Sequence, residues 1–186
     1  MRLGAVLLAS GAGRRFGGNK LLAEVKGVPL IRRAMNAVPA GRFDRAAVCS
    51  PHPQVLALAE MAGYLPLHNP YAEEGISASI RLGLSAMEGM DGVLFAVCDQ
   101  PFLTTKSINR LINSFLDCPD RICALSWQGR RGNPVIFPAE FFPALSALAG
   151  DTGGGAVIRA NPHRLLLVET GSAAELRDVD FQADLP

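Results

Sequence analysis

The sequence has little of what would mark a metal cage, a nucleic-acid surface or a membrane anchor. Its four cysteines, Cys49, Cys98, Cys118 and Cys123, include no Cys-x-x-Cys pair, and His52, His68 and His163 lie far apart. That excludes the ligand spacing of a zinc site and leaves thiols suited to a reducing compartment. Charge of neither sign dominates, since 18 Lys and Arg stand against 17 Asp and Glu for a formal net charge of +1. No global attraction to nucleic acid or to an anionic bilayer follows, and any affinity for anions must be local. No run approaches the roughly 18 apolar residues that a membrane-spanning helix needs. Leu3 to Ala9 is short for a secretory leader and Arg14 and Arg15 follow it closely, so a first strand and a cytoplasmic location are expected.

What is present is a regular alternation. With 186 residues and 49% hydrophobic content, the chain can bury one sizeable core, so residues 1–186 are expected to form a single domain. Strand-like runs at Leu3–Ala9, Arg45–Ser50, Tyr64–Leu67, Gly92–Cys98 and Arg164–Val168 alternate with helical patterns near Pro29–Val38, Pro53–Ala62, Ser77–Met87 and Thr105–Leu116. That order predicts a three-layer, doubly wound α/β fold with a mostly parallel sheet. Ser77 is a candidate cap for its helix, as Thr104 or Thr105 is for the next. Ile122–Trp127, the Gln128-Gly129 turn and Gly132–Phe137 read as an extended pair closing over one sheet edge, followed by a helix near Phe141–Leu148 and a glycine-rich turn and helix from Gly150 to Ala160.

Between the first strand and the next helix, Gly11-Ala-Gly-Arg-Arg-Phe-Gly-Gly-Asn-Lys20 gathers four glycines, two arginines and a lysine. Glycines let backbone amides approach an anion, and the cations add charge-assisted hydrogen bonds to phosphate oxygens. The loop lacks Walker spacing, and Phe16 stands where a dinucleotide fingerprint wants a small residue. A glycine-rich turn on a basic surface has the same composition. Asp99 ends the apolar run Val93–Cys98, which places it beside the crevice where doubly wound sheets bind ligands. A carboxylate there suits Mg²⁺, which is held by one or two carboxylates together with substrate phosphates; a turn cap is the plainer alternative.

Leu8-Ala-Ser-Gly-Ala-Gly-Arg-Arg-Phe-Gly-Gly-Asn-Lys-Leu-Leu22 and Cys98-Asp-Gln-Pro101 together resemble the molybdenum cofactor nucleotidyltransferases, closest to their cytidylyltransferase branch. Gly75-Ile-Ser-Ala-Ser-Ile-Arg-Leu-Gly-Leu84, Arg131-Gly-Asn-Pro-Val-Ile-Phe137 and Gly150-Asp-Thr-Gly153 extend the likeness over nearly the whole chain. It implies a Rossmann-like, GT-A-like nucleotidyltransferase fold and attack by the terminal phosphate of molybdenum-molybdopterin on the α-phosphorus of CTP. Lys20, Arg15 and Asp99 would be catalytic. Leu8, Ala9, Ser10, Gly11, Ala12, Gly13, Lys20, Ser77 and Ser79 would bind the nucleotide, and Gln100, Arg131 and Asn133 the acceptor. Asp99 and Asp180 would hold Mg²⁺, or Mn²⁺ in its place. The implied partners are CTP, molybdenum-molybdopterin and a molybdoenzyme of the xanthine dehydrogenase type or its chaperone, with the chain acting as a monomer and binding neither nucleic acid nor membrane.

The chain departs from the pattern in places. Related guanylyltransferases carry a Gly-Gly pair early in the first loop and an Asp before the lysine, where Ser10-Gly11 and Asn19 stand here. Relatives end in Asp-Ile-Asp-Thr-Pro-Glu-Asp, here Asp178-Val-Asp-Phe-Gln-Ala-Asp184, so Asp180 keeps the ligand type on a changed flank. Gly154-Gly155 replaces an Ala-Arg near the second substrate. Ser77 can equally be a plain cap and Arg131–Pro134 a surface turn. Transfer to another phosphate acceptor, or delivery of a finished cofactor without catalysis, are the competing functions.

Overall fold

The computed structural model describes residues 1–11 and 19–179. In chain order these form β1 (Leu3–Leu8), the short β2 (Glu24–Val25) and β3 (Val28–Pro29), α1 (Leu30–Ala37), β4 (Arg45–Ser50), α2 (Pro53–Met61), β5 (Leu65–His68), α3 (Ile76–Ser85), β6 (Gly92–Val97), α4 (Thr105–Asp117), β7 (Ile122–Trp127), β8 (Arg130–Pro138), α5 (Phe142–Ser146), α6 (Gly155–Ala160) and β9 (Leu165–Glu169). Among the described residues seven strands join one sheet in the order β5-β4-β1-β6-β8-β7-β9, and β2 and β3 pair separately.

The expected three-layer, doubly wound arrangement is the one observed. Successive side chains of a strand point to opposite faces, so β1 divides its apolar residues between two layers. Ala5 and Leu7 pack with Ile31 and Met35 of α1, Val55 of α2 and Ile108, Leu111 and Phe115 of α4. Val6 faces the other way, among Ile80 and Leu84 of α3, Leu145 of α5 and Val157 and Ile158 of α6. Strands covered on both faces read as continuous apolar runs, which is why β1 and β6 were legible.

Local signals set several helix ends. Thr104 caps α4, its side chain accepting a hydrogen bond from the Ser107 amide. Pro53 opens α2 at a position where a missing N–H costs nothing. Ser77 does not cap α3 as expected. Gly75 is the cap residue, and Ser77 lies inside the first turn, its amide donating to the Gly150 carbonyl at 3.2 Å. Gly75 has φ +99°, and a Cβ there would stand 2.4 Å from the Gly150 carbonyl carbon, so a residue with a side chain fits neither the conformation nor the space. The glycine-rich turn and helix expected from Gly150 to Ala160 are observed, the helix, α6, beginning at Gly155.

The β7–β8 pair does not close over an edge. β8 inserts between β6 and β7, antiparallel to both, and β9 lies outside β7 in parallel. The reason is burial: Ile136 enters one apolar layer while Val135 and Phe137 enter the other. A strand with apolar side chains on both faces needs cover on both, which an edge position lacks.

The sheet reverses its winding at β1. From β1 the chain proceeds outward through β4 and β5, then returns to place β6 on the other flank of β1. Such a reversal opens a crevice at the carboxyl ends of the two central strands. Leu8 and Val97, paired in register at those ends, mark its floor.

Candidate active site

Lys20 and Asp99 meet over that crevice. Lys20 begins a 3₁₀ turn, Lys20–Leu22, whose cap Asn19 accepts a hydrogen bond from the Leu21 amide at 3.2 Å. Buried Leu21 fastens this turn to the core beside α1 and α4. The ammonium is thereby aimed back at the sheet, and Lys20 Nζ lies 3.0 Å from Asp99 Oδ2, with side chains 13% and 27% exposed. The other carboxylate oxygen, Asp99 Oδ1, is buried and has no hydrogen-bond partner among the described residues. An orphaned carboxylate oxygen is costly to bury. A hard cation would satisfy it, so the donor chemistry fits a divalent metal of the Mg²⁺ type.

The carboxyl-terminal segment crosses the same strand ends. The Val179 amide donates to the Asp99 carbonyl at 2.9 Å, and Gln100 Nε2 donates to Asp178 Oδ1 at 2.9 Å. Gln100, expected to face an acceptor, is buried; its amide nitrogen holds this segment, and its Oε1 has no hydrogen-bond partner among the described residues. Glu175 is the clasp: its carboxylate accepts from Thr104 Oγ1 at 2.7 Å and from the Gly171 amide at 2.8 Å. Burial works to raise the Glu175 carboxyl, but hydrogen bonds from Ser107, Thr104 and Gly171 outweigh it and hold the group below its usual range. Asp180 lies outside the described residues, as do Ala12, Gly13 and Arg15 of the first loop.

The start of that loop is tied to α3. Ala9 continues the strand pairing by donating to the Cys49 carbonyl at 2.9 Å, and Ser10 Oγ donates to the same oxygen at 3.1 Å. Asn69, at the end of β5, donates from Nδ2 to Ser10 Oγ at 3.2 Å and to Ser79 Oγ at 3.0 Å, and accepts from the Tyr71 amide. No sequence signal singled out Asn69; an asparagine before a proline reads only as a turn. Ser77 and Ser79 are both buried, and Ser77 Oγ accepts from Arg81 Nη1 at 3.1 Å. Arg81 also donates to the Leu148 carbonyl at 2.7 Å, so it braces α3 against the Gly150 turn. Leu8 and Ser10 are partly exposed and Gly11 is exposed, whereas Ala9 is buried.

A pocket of about 200 Å³ opens on the α3 side of the sheet. Leu8, Ile76, Phe95, Val97 and Phe137 form its apolar wall, and Arg131 and Asn133 of β8 bring polar groups to it. These two expected acceptor residues thus share a pocket with Leu8 and Val97, the last residues of β1 and β6. Gln100 does not line the pocket. The thiols take no part: burial pushes Cys49 up to about 12 and raises Cys98 as well, so both stay protonated. Among the described residues, no group of three or more His, Cys, Asp or Glu clusters into a metal cage, and no helix is long and apolar enough to cross a membrane.

Comparison with known proteins agrees with this fold. Residues 5–165 match the model of the MobA-like NTP transferase domain. The chain is 29% identical to nicotine blue oxidoreductase of Paenarthrobacter nicotinovorans and 27% identical to purine catabolism protein PucB of Bacillus subtilis, in each case over 94% of this chain and 90% of the relative. It is 33% identical to molybdenum cofactor guanylyltransferase of Rhodobacter capsulatus, over 60% of this chain and 58% of that protein. Among solved structures, a nucleotidyl transferase from Methanothermobacter superposes with a TM-score of 0.82 at 22% identity, covering 98% of this chain and 94% of that one. A manganese complex of Rv0371c from Mycobacterium tuberculosis superposes with a TM-score of 0.77 at 20% identity, covering 99% and 96%. At these identities the structural matches establish the fold.

Proposed function

The chain belongs to the MobA-like NTP transferase domain family, and from that premise we propose that it transfers CMP from CTP to the terminal phosphate of molybdenum-molybdopterin, releasing pyrophosphate. The observation that carries the reading is the Lys20–Asp99 pair at the point where the sheet reverses, with one carboxylate oxygen that has no hydrogen-bond partner among the described residues. Nucleotidyl transfer needs two anions aligned and the charge gathering on the transferred phosphorus neutralised. An oxygen of the acceptor phosphate bonds to the α-phosphorus as the bond to the bridging oxygen breaks and pyrophosphate departs. A phosphate monoester has a second pKa near ~6, so this nucleophile is largely deprotonated at neutral pH and needs no protein base.

Each residue then has a role. Lys20 sets its ammonium beside the transferred phosphoryl group. Asp99, with Asp180 as second ligand by resemblance, would hold Mg²⁺ or Mn²⁺, which when bound draws charge from the phosphate oxygens. Gly11, the amides of Ala12 and Gly13, and Arg15 would hold the leaving pyrophosphate. Ser77 and Ser79 act on the base side through Arg81 and Asn69, to which their buried hydroxyls are bonded. Arg131 and Asn133 meet the acceptor in the apolar pocket. The choice of cytosine rests on Ser10-Gly11 and Asn19, where guanylyltransferases of this type carry Gly-Gly and Asp.

Incubation of the purified protein with Mg²⁺, each NTP and molybdenum-loaded molybdopterin, with pyrophosphate and dinucleotide followed by mass, tests the reading. Turnover with CTP is expected. Turnover with GTP alone would move the assignment to guanylyl transfer, and none with any NTP would favour delivery of a finished cofactor. Lys20→Ala and Asp99→Ala should each lower turnover by about 10²-fold or more, the scale on which loss of one charge-stabilising donor is felt, with the circular dichroism spectrum unchanged. A near-normal rate in either variant would remove that residue from the mechanism.

A further inference from the structure

Two arginines come near Gly155, which lines the apolar pocket. Arg131 reaches it from β8 and Arg159 from the last turn of α6. The point where a Cβ would stand at Gly155 is 3.4 Å from Arg131 Nη2 and 3.5 Å from Arg159 Nη1, so these nitrogens are no more than about 7 Å apart. Among the described residues neither guanidinium has a hydrogen bond or an ion pair. Other arginines are tied down: Arg33 to the Val25 carbonyl, Arg81 to the Leu148 carbonyl, Arg164 to Glu140. Both residues are exposed; two like charges this near repel each other, and an oxyanion between them reverses the sign of the interaction.

We propose that Arg131 and Arg159 form a two-guanidinium clamp for an oxyanion carried by the acceptor, with Gly155 keeping the gap between them open. The proposal rests on the transferase reading and deepens it by naming the acceptor's chemical class. Arg131 and Gly155 line the pocket together with Ile76, Phe95 and Phe137 and with Leu8 and Val97, the paired residues at the carboxyl ends of β1 and β6. A ligand that fills it has a compact, apolar or flat-ring body and an anionic group on the side of β8 and α6. Gly155 is otherwise a poor choice for the first residue of a helix. An alanine methyl there makes only ordinary contacts at 3.4 and 3.5 Å, so the fold tolerates it while the space between the guanidiniums does not stay open.

Calorimetric titration of the full chain with phenyl phosphate, and with phenol as the uncharged control, tests the clamp. Phenyl phosphate should bind at least tenfold more tightly than phenol. Arg131→Gln, Arg159→Gln and Gly155→Ala should each weaken it about tenfold, the last with an unchanged or higher melting temperature. Failure of the wild-type chain to bind phenyl phosphate, or affinity that Arg159→Gln and Gly155→Ala leave unchanged, would overturn the proposal. CTP with Mg²⁺ is titrated in parallel. CTP bound without phenyl phosphate removes the clamp alone; phenyl phosphate bound at Arg159 without CTP keeps the clamp and removes the transferase reading.

Discussion

Asn69 commits its whole amide to the protein interior. Its two donated bonds join the start of the glycine loop to α3, and its carbonyl oxygen holds the turn at Tyr71. Asn69→Ala should therefore leave buried polar groups without partners, at about 1–3 kcal/mol, and raise the KM for nucleotide. Denaturant unfolding together with steady-state kinetics measures both; full stability with an unchanged KM would deny the linkage. Gly75→Ala meets backbone at 2.4 Å in a conformation with φ +99°, so a loss of about 1–3 kcal/mol or more is expected, read as a lower melting temperature. At this scale Lys20 and Asp99 were legible, because a glycine loop after one apolar run and a carboxylate after another are local signals. Asn69 was not, since its meaning depends on Ser10, 59 residues away in the chain, and on Ser79, which lies in the next helix.

At the scale of elements, the segment from Gly171 to Val179 acts as a strap over the ends of β6 and α4. Glu175 fastens it, and the hydrogen bonds that lower its carboxyl pKa set the pH at which it loosens. A carboxyl whose folded value lies below its unfolded value stabilises the fold fully above the unfolded value, near ~4.3, and loses that contribution as pH falls through the folded one. Glu175→Gln should thus lower the melting temperature at pH 7, with the gap to wild type narrowing below about pH 4 as the wild-type carboxyl also becomes neutral. A gap that stays constant with pH would show that the charge contributes nothing. The strap was only partly visible in sequence: Asp178 stood out beside Asp180, the expected second metal ligand, but nothing local indicates that Gln100 would bind Asp178. The β7–β8 pair shows the same limit. Its turn and both strands were apparent, yet insertion beside β6 depends on the cover that distant helices supply.

For the molecule as a whole, the two apolar layers share one sheet, and the order β5-β4-β1-β6-β8-β7-β9 interleaves early and late strands. Neither layer can lose its cover without exposing strands that serve the other, so thermal unfolding should appear as one transition with coincident fluorescence and circular dichroism midpoints. Two separated midpoints would mean two independent units. The sequence by itself determined the alternation of strands and helices, the parallel class of the sheet and the loop and carboxylate that carry the proposed chemistry, because each is written in contiguous residues whose periodicity or glycine content acts locally. Only the tertiary structure decided that Lys20 meets Asp99 at 3.0 Å, that Gln100 holds the carboxyl-terminal strap, that Asn69 bridges two elements and that Arg131 and Arg159 both come near Gly155. Those pairings join residues far apart in the chain, and they exist because burying both faces of one sheet leaves the strand ends a single arrangement.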